Sequence, residues 1–557
     1  MKVHEAVAAA IAAEGVTAVF GLMGDGNISL WGAMGRQGRL AIYSARNEAG
    51  AVAMADGFFR GTGRLGLATV TCGPGLTQVG TSLMAAARNR SPIVVVVGEI
   101  PPGDKNGLQA MDQRRFAEAS GARYHSLSKP DNAAEEIAEA FYAARAGRCP
   151  VVLNVPIDLG ERSFEWDWDY RPSTDYLPAT RPVASEEALA PLLEKLFAAE
   201  RPVIIAGLGA RMSGAKDAIV ELGELTGALL ATSLQGKGLF ADQPYDIGIA
   251  GSYANAAAEE LFANADLVLG IGAEVGYYTS EGGLLFPAAE VARLDINPVP
   301  PQLGVVPGLY VHGDARTSVT RLNAMLRERQ HRKPGFRTPE ADAIMVAPRD
   351  TQPQATDGLD PRLLMRRLSH ALPDDVLITC GAGHFLGFAA MNLAVSAKAD
   401  IQFSVQFGAV GQTLPVAIGI GVGNPGRRHL CIEGDGSLMM NLQELETVAR
   451  HAVPMVVLVW NDAGFGAEVH KLNAKGFDQA LAQWRSPDFV ALARAFGGDG
   501  VLLEDEAAIG PAVEAGFAAG GLFLIDARVS PTTISDAYQK IHFGRPNTAP
   551  LLRHGRA

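Results

Sequence analysis

Two short polar clusters, Gly434-Asp435-Gly436-Ser437 and Trp460-Asn461-Asp462-Ala463-Gly464, constrain this chain more than any other feature. Arg428–Glu433 predicts a short buried strand, and Met455–Val459 a strand buried on both faces. Between them Asn441–Arg450 predicts a helix, with Asn441 as N-cap, Leu442, Leu445 and Ala449 at helical spacing, and Pro454 beyond its end. A strand–helix–strand unit sets its strands parallel, about 4.8 Å apart. Asp435 and Asp462 therefore emerge side by side at the carboxyl edge of one sheet, where doubly wound folds bind ligands. Two oxygen ligands beside glycines that admit a phosphate suit Mg²⁺ bridging to a diphosphate. The triplet alone is a common turn, and Gly24-Asp25-Gly26 has no Asn-Asp pair downstream. The pairing of the two clusters, in this element context, is what points to a site.

The same clusters resemble the metal and diphosphate motif of thiamine diphosphate enzymes, usually GDG followed by NN. Asp462 replaces the second Asn, which keeps an oxygen ligand and adds a negative charge. The resemblance runs from Val3 to about Arg528 and is closest to the acetolactate synthase and 2-oxo acid decarboxylase superfamily. It implies an α/β fold of three doubly wound domains with parallel sheets. These are a pyrimidine-binding domain over 1–165, a central domain over 185–335 and a diphosphate- and Mg-binding domain over 360–530, then a polar surface tail over 531–557. It further implies thiamine diphosphate on Gly434, Asp435, Gly436, Ser437, Asp462, Gly464, Phe465 and Gly466, with Mg²⁺ on Asp435, Asp462 and Gly464.

Composition agrees with such a chain. Its 557 residues exceed one ordinary core, and 48% hydrophobic with 19% charged residues describes a globular enzyme. A net charge of −12 argues against nucleic acid or an anionic membrane as partner. Cys72, Cys149, Cys380 and Cys431 form no CxxC pair and read as free thiols of a reducing cytoplasm. Met1–Gly15 is an amphipathic helix with an early acid rather than a signal peptide, and no apolar run reaches membrane-span length. Two turn-rich stretches, Glu161–Arg181 (with Trp166, Trp168 and Tyr170) and His331–Pro361, read as linkers.

Three more glycine patterns carry less. Gly61-Thr62-Gly63-Arg64-Leu65-Gly66 fits GxGxxG but follows a helix and precedes a strand, the reverse of the dinucleotide fingerprint. Gly207-Leu208-Gly209 follows a strand, yet Met212 stands where the third glycine belongs, so a structural turn without FAD is expected. Gly73-Pro74-Gly75 resembles the family's turn beside the cofactor and otherwise is a rigid turn.

Arg46-Asn47-Glu48-Ala49-Gly50-Ala51, with Met54-Ala55-Asp56-Gly57-Phe58 behind it, resembles the family's segment around the activating glutamate. On its own Glu48 is a helix-start acid favoured by the helix dipole. The resemblance implies that it hydrogen-bonds N1′ of the aminopyrimidine, so that the neighbouring imine removes the thiazolium C2 proton. Phe407-Gly408-Ala409-Val410-Gly411 resembles the segment that bends the cofactor, with Val410 as wedge and the Gly408 carbonyl on the 4′-amino group. His384 aligns with a diphosphate contact, or is an ordinary polar loop residue. Relatives complete each site from two chains, which implies a homodimer or homotetramer.

The reaction is less determined. Glu468 matches the active-site glutamate of pyruvate-type decarboxylases, or is a solvated helix-start acid. The paired histidines of those enzymes are replaced by Met111-Asp112-Gln113-Arg114, the synthases' acceptor-pocket Trp by Lys471, and Gln109 corresponds to a synthase glutamine. The resemblance implies decarboxylation of a 2-oxo acid through an enamine, a lyase reaction with Glu48 and Glu468 catalytic. Alternatively the enamine is passed to an aldehyde or ketone acceptor, as in a carboligase. An acyl-CoA lyase and a non-catalytic paralogue stand further off, since a binding module would not need Glu48.

Overall fold

The computed structural model describes residues 1–544 except 102, 103, 105, 165–167, 298–304 and 347–353. Trp166 and the end of the expected tail lie outside the described residues.

Three six-stranded parallel sheets organise the chain. The first runs in the order Ala41–Ser44, Ala18–Gly21, Gly66–Val70, Ile93–Glu99, Pro150–Pro156, Arg123–Ser126. The third runs Asp400–Ser404, Leu377–Gly381, His429–Gly434, Met455–Asn461, Leu522–Arg528, Asp499–Leu503. Both therefore order their strands 2-1-3-4-6-5, a kinship that the residues themselves do not display. The middle sheet, from Leu309–His312 through Pro202–Ala206 to Asp246–Ile249, reads 3-2-1-4-5-6 from its other edge, the order of dinucleotide-binding folds. Its Gly207 and Gly209 serve close packing: Gly209 N–H donates to the Gly272 carbonyl at 2.9 Å, and a Cβ on Gly207 would stand 2.3 Å from that oxygen.

Central strands are uniformly buried because helices cover both sheet faces, so Ile93–Val97 and Met455–Val459 carry only apolar side chains. The first and third domains dock through two helices, Glu48–Thr62 and Thr413–Gly423, whose glycines let the backbones touch. A Cβ on Gly57 would lie 2.0 Å from the Val416 carbonyl oxygen, and one on Gly419 1.9 Å from that of Met54. Ala51, Met54, Leu414, Ala417 and Ile418 share one continuous core across this contact.

Several local expectations are corrected. Asn441 is not an N-cap; it follows the Asp435–Met440 helix, and the next helix is Glu444–Arg450. Its side-chain amide instead donates to the Gly411 carbonyl. The linker over 331–361 contains a helix, Pro339–Val346, that buries Ala341. The tail expected from 531 is helical over Asp536–Phe543, with Ala537 and Tyr538 buried. Tyr538 Oη donates to the Ala467 carbonyl at 2.6 Å, and Lys540 pairs with Glu259 of the central domain, which is why this segment does not float free.

Candidate active site

The register Gly434↔Trp460 places Asp435 and Asp462 just beyond the ends of neighbouring strands. Asp435 opens a helix and is 1% exposed. Burial raises the pKa of both carboxyls; like charge raises them further, from Asp435 as the second cause for Asp462 and from Asp526 for Asp435. Asp435 Oδ2 is buried without a hydrogen-bond partner among the described residues. Such an orphan costs stability unless something satisfies it. A hard divalent cation fits: among the described residues no three His, Cys, Asp or Glu side chains cluster as a metal cage, and Mg²⁺ typically takes one or two carboxylates with phosphate and water oxygens.

The rest of the motif is shaped for close approach. A Cβ on Gly466 would stand 2.3 Å from Asp462 Oδ2, so that helix start accepts no side chain. Over Gly436 lie Phe465 and Trp484, whose rings meet edge to face at 4.9 Å. Ser437 Oγ accepts the Gly411 N–H at 2.9 Å, which fastens the loop of Gly408 and Val410 to the turn after Asp435. In that loop Phe407 and Gly408 both take positive φ, +63° and +65°. Gly464 pairs with Gln483 in an isolated antiparallel bridge.

His384 sits in the same neighbourhood, 5% exposed. Its Nε2 accepts the Ser535 N–H at 3.1 Å, and Nδ1 lies 3.6 Å from where a Gly466 Cβ would be. Burial first, then His470 and His542, push its pKa down to about 3, so the ring is neutral and carries its proton on Nδ1.

Glu48 is gathered elsewhere, at the edge of the first sheet. It is the first residue of its helix, and the Asn47 side chain caps that helix by accepting the Ala49 N–H at 2.8 Å. Its Oε1 lies 3.6 Å from the position of a Gly75 Cβ, and a Cβ on Gly73 (φ +59°) would strike the Gln109 carbonyl oxygen at 2.5 Å. Glu48, the Gly73–Gly75 turn and Gln109 thus form one cluster. Among the described residues no hydrogen bond or ion pair joins Glu48 to Asp435 or Asp462 within the chain.

Glu468 lies at the surface. Its side chain is 54% exposed and lies 3.5 Å from Lys471 Nζ, so in the single chain it stands as the solvated helix-start acid rather than as a buried proton donor. Sequence reasoning also missed Trp484, whose indole reaches the Asp435 carboxyl and favours its charged form. It missed Glu433 as well, which burial holds at a pKa of about 7 just behind Asp435. No spacing signals Trp484: a backbone bridge brings it to the site. Cys72, whose Sγ–H donates to Gln109 Oε1 at 3.0 Å, borders the Glu48 cluster.

Parallel sheets that carry a buried carboxylate pair at one edge and a helix-borne glutamate at another suit an enzyme that holds a diphosphate cofactor through a metal ion. Residues 1–120 match the N-terminal TPP-binding domain of thiamine pyrophosphate enzymes, 189–322 their central domain, and 381–527 their C-terminal TPP-binding domain. The chain belongs to the thiamine diphosphate-dependent enzymes, in the acetolactate synthase and 2-oxo acid decarboxylase superfamily. It is 28% identical to an acetolactate synthase of Mycobacterium bovis, over 88% of this chain and 82% of that one. An acetolactate synthase of Arthrospira platensis is 27% identical over 96% and 95%. A probable 2-ketoarginine decarboxylase of Pseudomonas aeruginosa is 29% identical over 94% and 93%.

Proposed function

We propose that this protein, loaded with thiamine diphosphate and Mg²⁺, releases CO₂ from a 2-oxo acid. The observation that carries the reading is the Asp435–Asp462 pair, with its buried Asp435 oxygen unpartnered among the described residues, at the carboxyl edge of the third sheet. The bound cofactor supplies a carbon nucleophile and an electron sink for the bond that breaks. The chain supplies the rest. Asp435, Asp462 and the Gly464 carbonyl would hold the metal, and Gly434, Gly436, Ser437, Phe465 and Gly466 would line the diphosphate. His384 would donate Nδ1–H toward it, Val410 would separate the two rings, and Gly408 and Glu48 would fix the pyrimidine.

Two copies of the chain are needed on this reading. Among the described residues no hydrogen bond or ion pair joins the Glu48 cluster to the metal pair within one chain, and exposed apolar side chains stand near each in sequence: Leu108 on one side, Met439, Met440 and Phe465 on the other. A second copy that covers both would complete two sites and bury Glu468, which would then hand a proton to the carbon left by CO₂. Four free cysteines accord with a reducing cytoplasm, and among the described residues no helix is long and apolar enough to cross a membrane.

Acetolactate synthases among the relatives support a second outcome, transfer to a carbonyl acceptor. A panel of 2-oxo acids, assayed for CO₂ release with and without acceptor aldehyde, decides. Because a 2-oxo acid can itself serve as acceptor, the products are identified as well: an aldehyde supports the decarboxylase, and a 2-hydroxy ketone supports the ligase. No release from any 2-oxo acid by the loaded protein would contradict both.

A further inference from the structure

Glu444 is a buried carboxylate at the contact between the first and third domains that the proposed chemistry leaves unused. It is the first residue of the Glu444–Arg450 helix and is fully buried. Oε1 accepts two backbone N–H groups of the other domain, Arg46 and Asn47, each at 3.0 Å. Oε2 accepts Thr447 Oγ1–H at 2.7 Å. The two amides it holds are those immediately before Glu48.

The surroundings are built for this grip. A Cβ on Gly50 would stand 2.6 Å from Glu444 Oε1, so the carboxylate reaches the strand–helix turn only because Gly50 has no side chain. Around the buried bond runs an outer ring from the same helix and its C-cap, His451. Glu446 pairs with the Arg46 guanidinium at 2.7 Å, Arg450 donates to the Ser44 carbonyl at 2.5 Å, and His451 Nε2 accepts the Ser44 N–H at 3.1 Å. Four side chains of one segment thus hold Ser44–Asn47 by its backbone and by Arg46. Adhesion between the domains is also supplied by the glycine-rich helix pair, so what Glu444 adds is its hold on the two main-chain amides before Glu48.

We infer that Glu444 is a positioning residue for Glu48: by fixing the amides of Arg46 and Asn47 it sets where the Glu48 carboxyl stands against the cofactor ring. This rests on the role of Glu48 proposed above. A carboxylate that accepts both N–H groups fixes the turn, and a misplacement of about 1 Å in such a group costs about 10²-fold in rate.

The test uses the full-length protein with Mg²⁺ and thiamine diphosphate, with C2-proton exchange read by NMR after acid quench and cofactor affinity by calorimetry. Glu444→Ala should slow exchange about 10–100-fold while cofactor affinity changes less than about threefold. Glu444→Gln, whose amide oxygen still accepts both N–H groups, should restore exchange to within about threefold of the parent. Should Glu444→Ala fail to fold, Gly50→Ala perturbs the same oxygen from the other side and should slow exchange likewise. Parent-rate exchange in folded Glu444→Ala or in Gly50→Ala, or equal slowing in the Ala and Gln variants, would overturn the inference. Glu48→Gln keeps the two claims apart: if exchange in the parent does not depend on Glu48, the proposed function fails, not the positioning role alone.

Discussion

Ser437 Oγ accepts the Gly411 N–H at 2.9 Å, and through that bond the turn after Asp435 and the loop of Val410 hold one geometry. The Gly411 carbonyl is held from the same side by Asn441. Ser437→Ala leaves a buried N–H without a partner, at about 1–3 kcal/mol. Thiamine diphosphate affinity should fall about tenfold or more, as calorimetry would show. An unchanged affinity would mean that the loop holds its place without Ser437.

His429 governs part of the stability at acid pH. It is fully buried on its strand, with Nε2 against Thr379 Oγ1 at 2.8 Å, and burial followed by the Arg427 charge lowers its pKa from 6.5 to about 3. The unfolded chain therefore binds the extra proton between pH 6.5 and about 3. Stability is complete above the unfolded value and falls as pH drops through this window, by about 1.4 kcal/mol per pH unit. Denaturant midpoints at several pH values should show a shallower decline in His429→Gln, and an identical decline would remove His429 from the account.

Gly419 tests the docking of the first and third domains. Its absent side chain admits the Met54 carbonyl, which a Cβ would meet at 1.9 Å. Gly419→Ala should cost about 1–3 kcal/mol of stability, in the range of overpacked cores. A denaturation midpoint equal to the parent's would show that the helices separate without cost.

Glu468 should matter only in the assembled enzyme. Glu468→Gln should keep cofactor affinity and lower turnover by about 10²–10⁴-fold, as for a positioned acid. Turnover at the parent rate on the best 2-oxo acid would leave the carboxylate as the solvated partner of Lys471, and would favour transfer to an acceptor.

Much of the frame was legible because it depends on neighbours in sequence. Short apolar, valine-rich runs such as Met455–Val459, bounded by Pro454 and a polar turn, favour buried strands, and the strand–helix–strand unit between Asp435 and Asp462 fixes their proximity. What was not legible depends on distant partners. Asn441 has the chemistry of a cap, but the Gly411 carbonyl takes its amide. Trp484 reaches Asp435 through the Gly464–Gln483 bridge, and Glu444 meets residues almost 400 positions away. The helix at Asp536–Phe543 reads as polar because only Ala537 and Tyr538 are buried.

The most direct test of the account is a calorimetric titration of thiamine diphosphate into the parent protein and Asp435→Ala, with Mg²⁺ and with excess EDTA. The parent should bind only with the metal, and Asp435→Ala should bind about 10²-fold more weakly or not at all. Equal affinity in the two proteins with Mg²⁺, or metal-independent binding by the parent, would contradict the assignment of the Asp435–Asp462 pair.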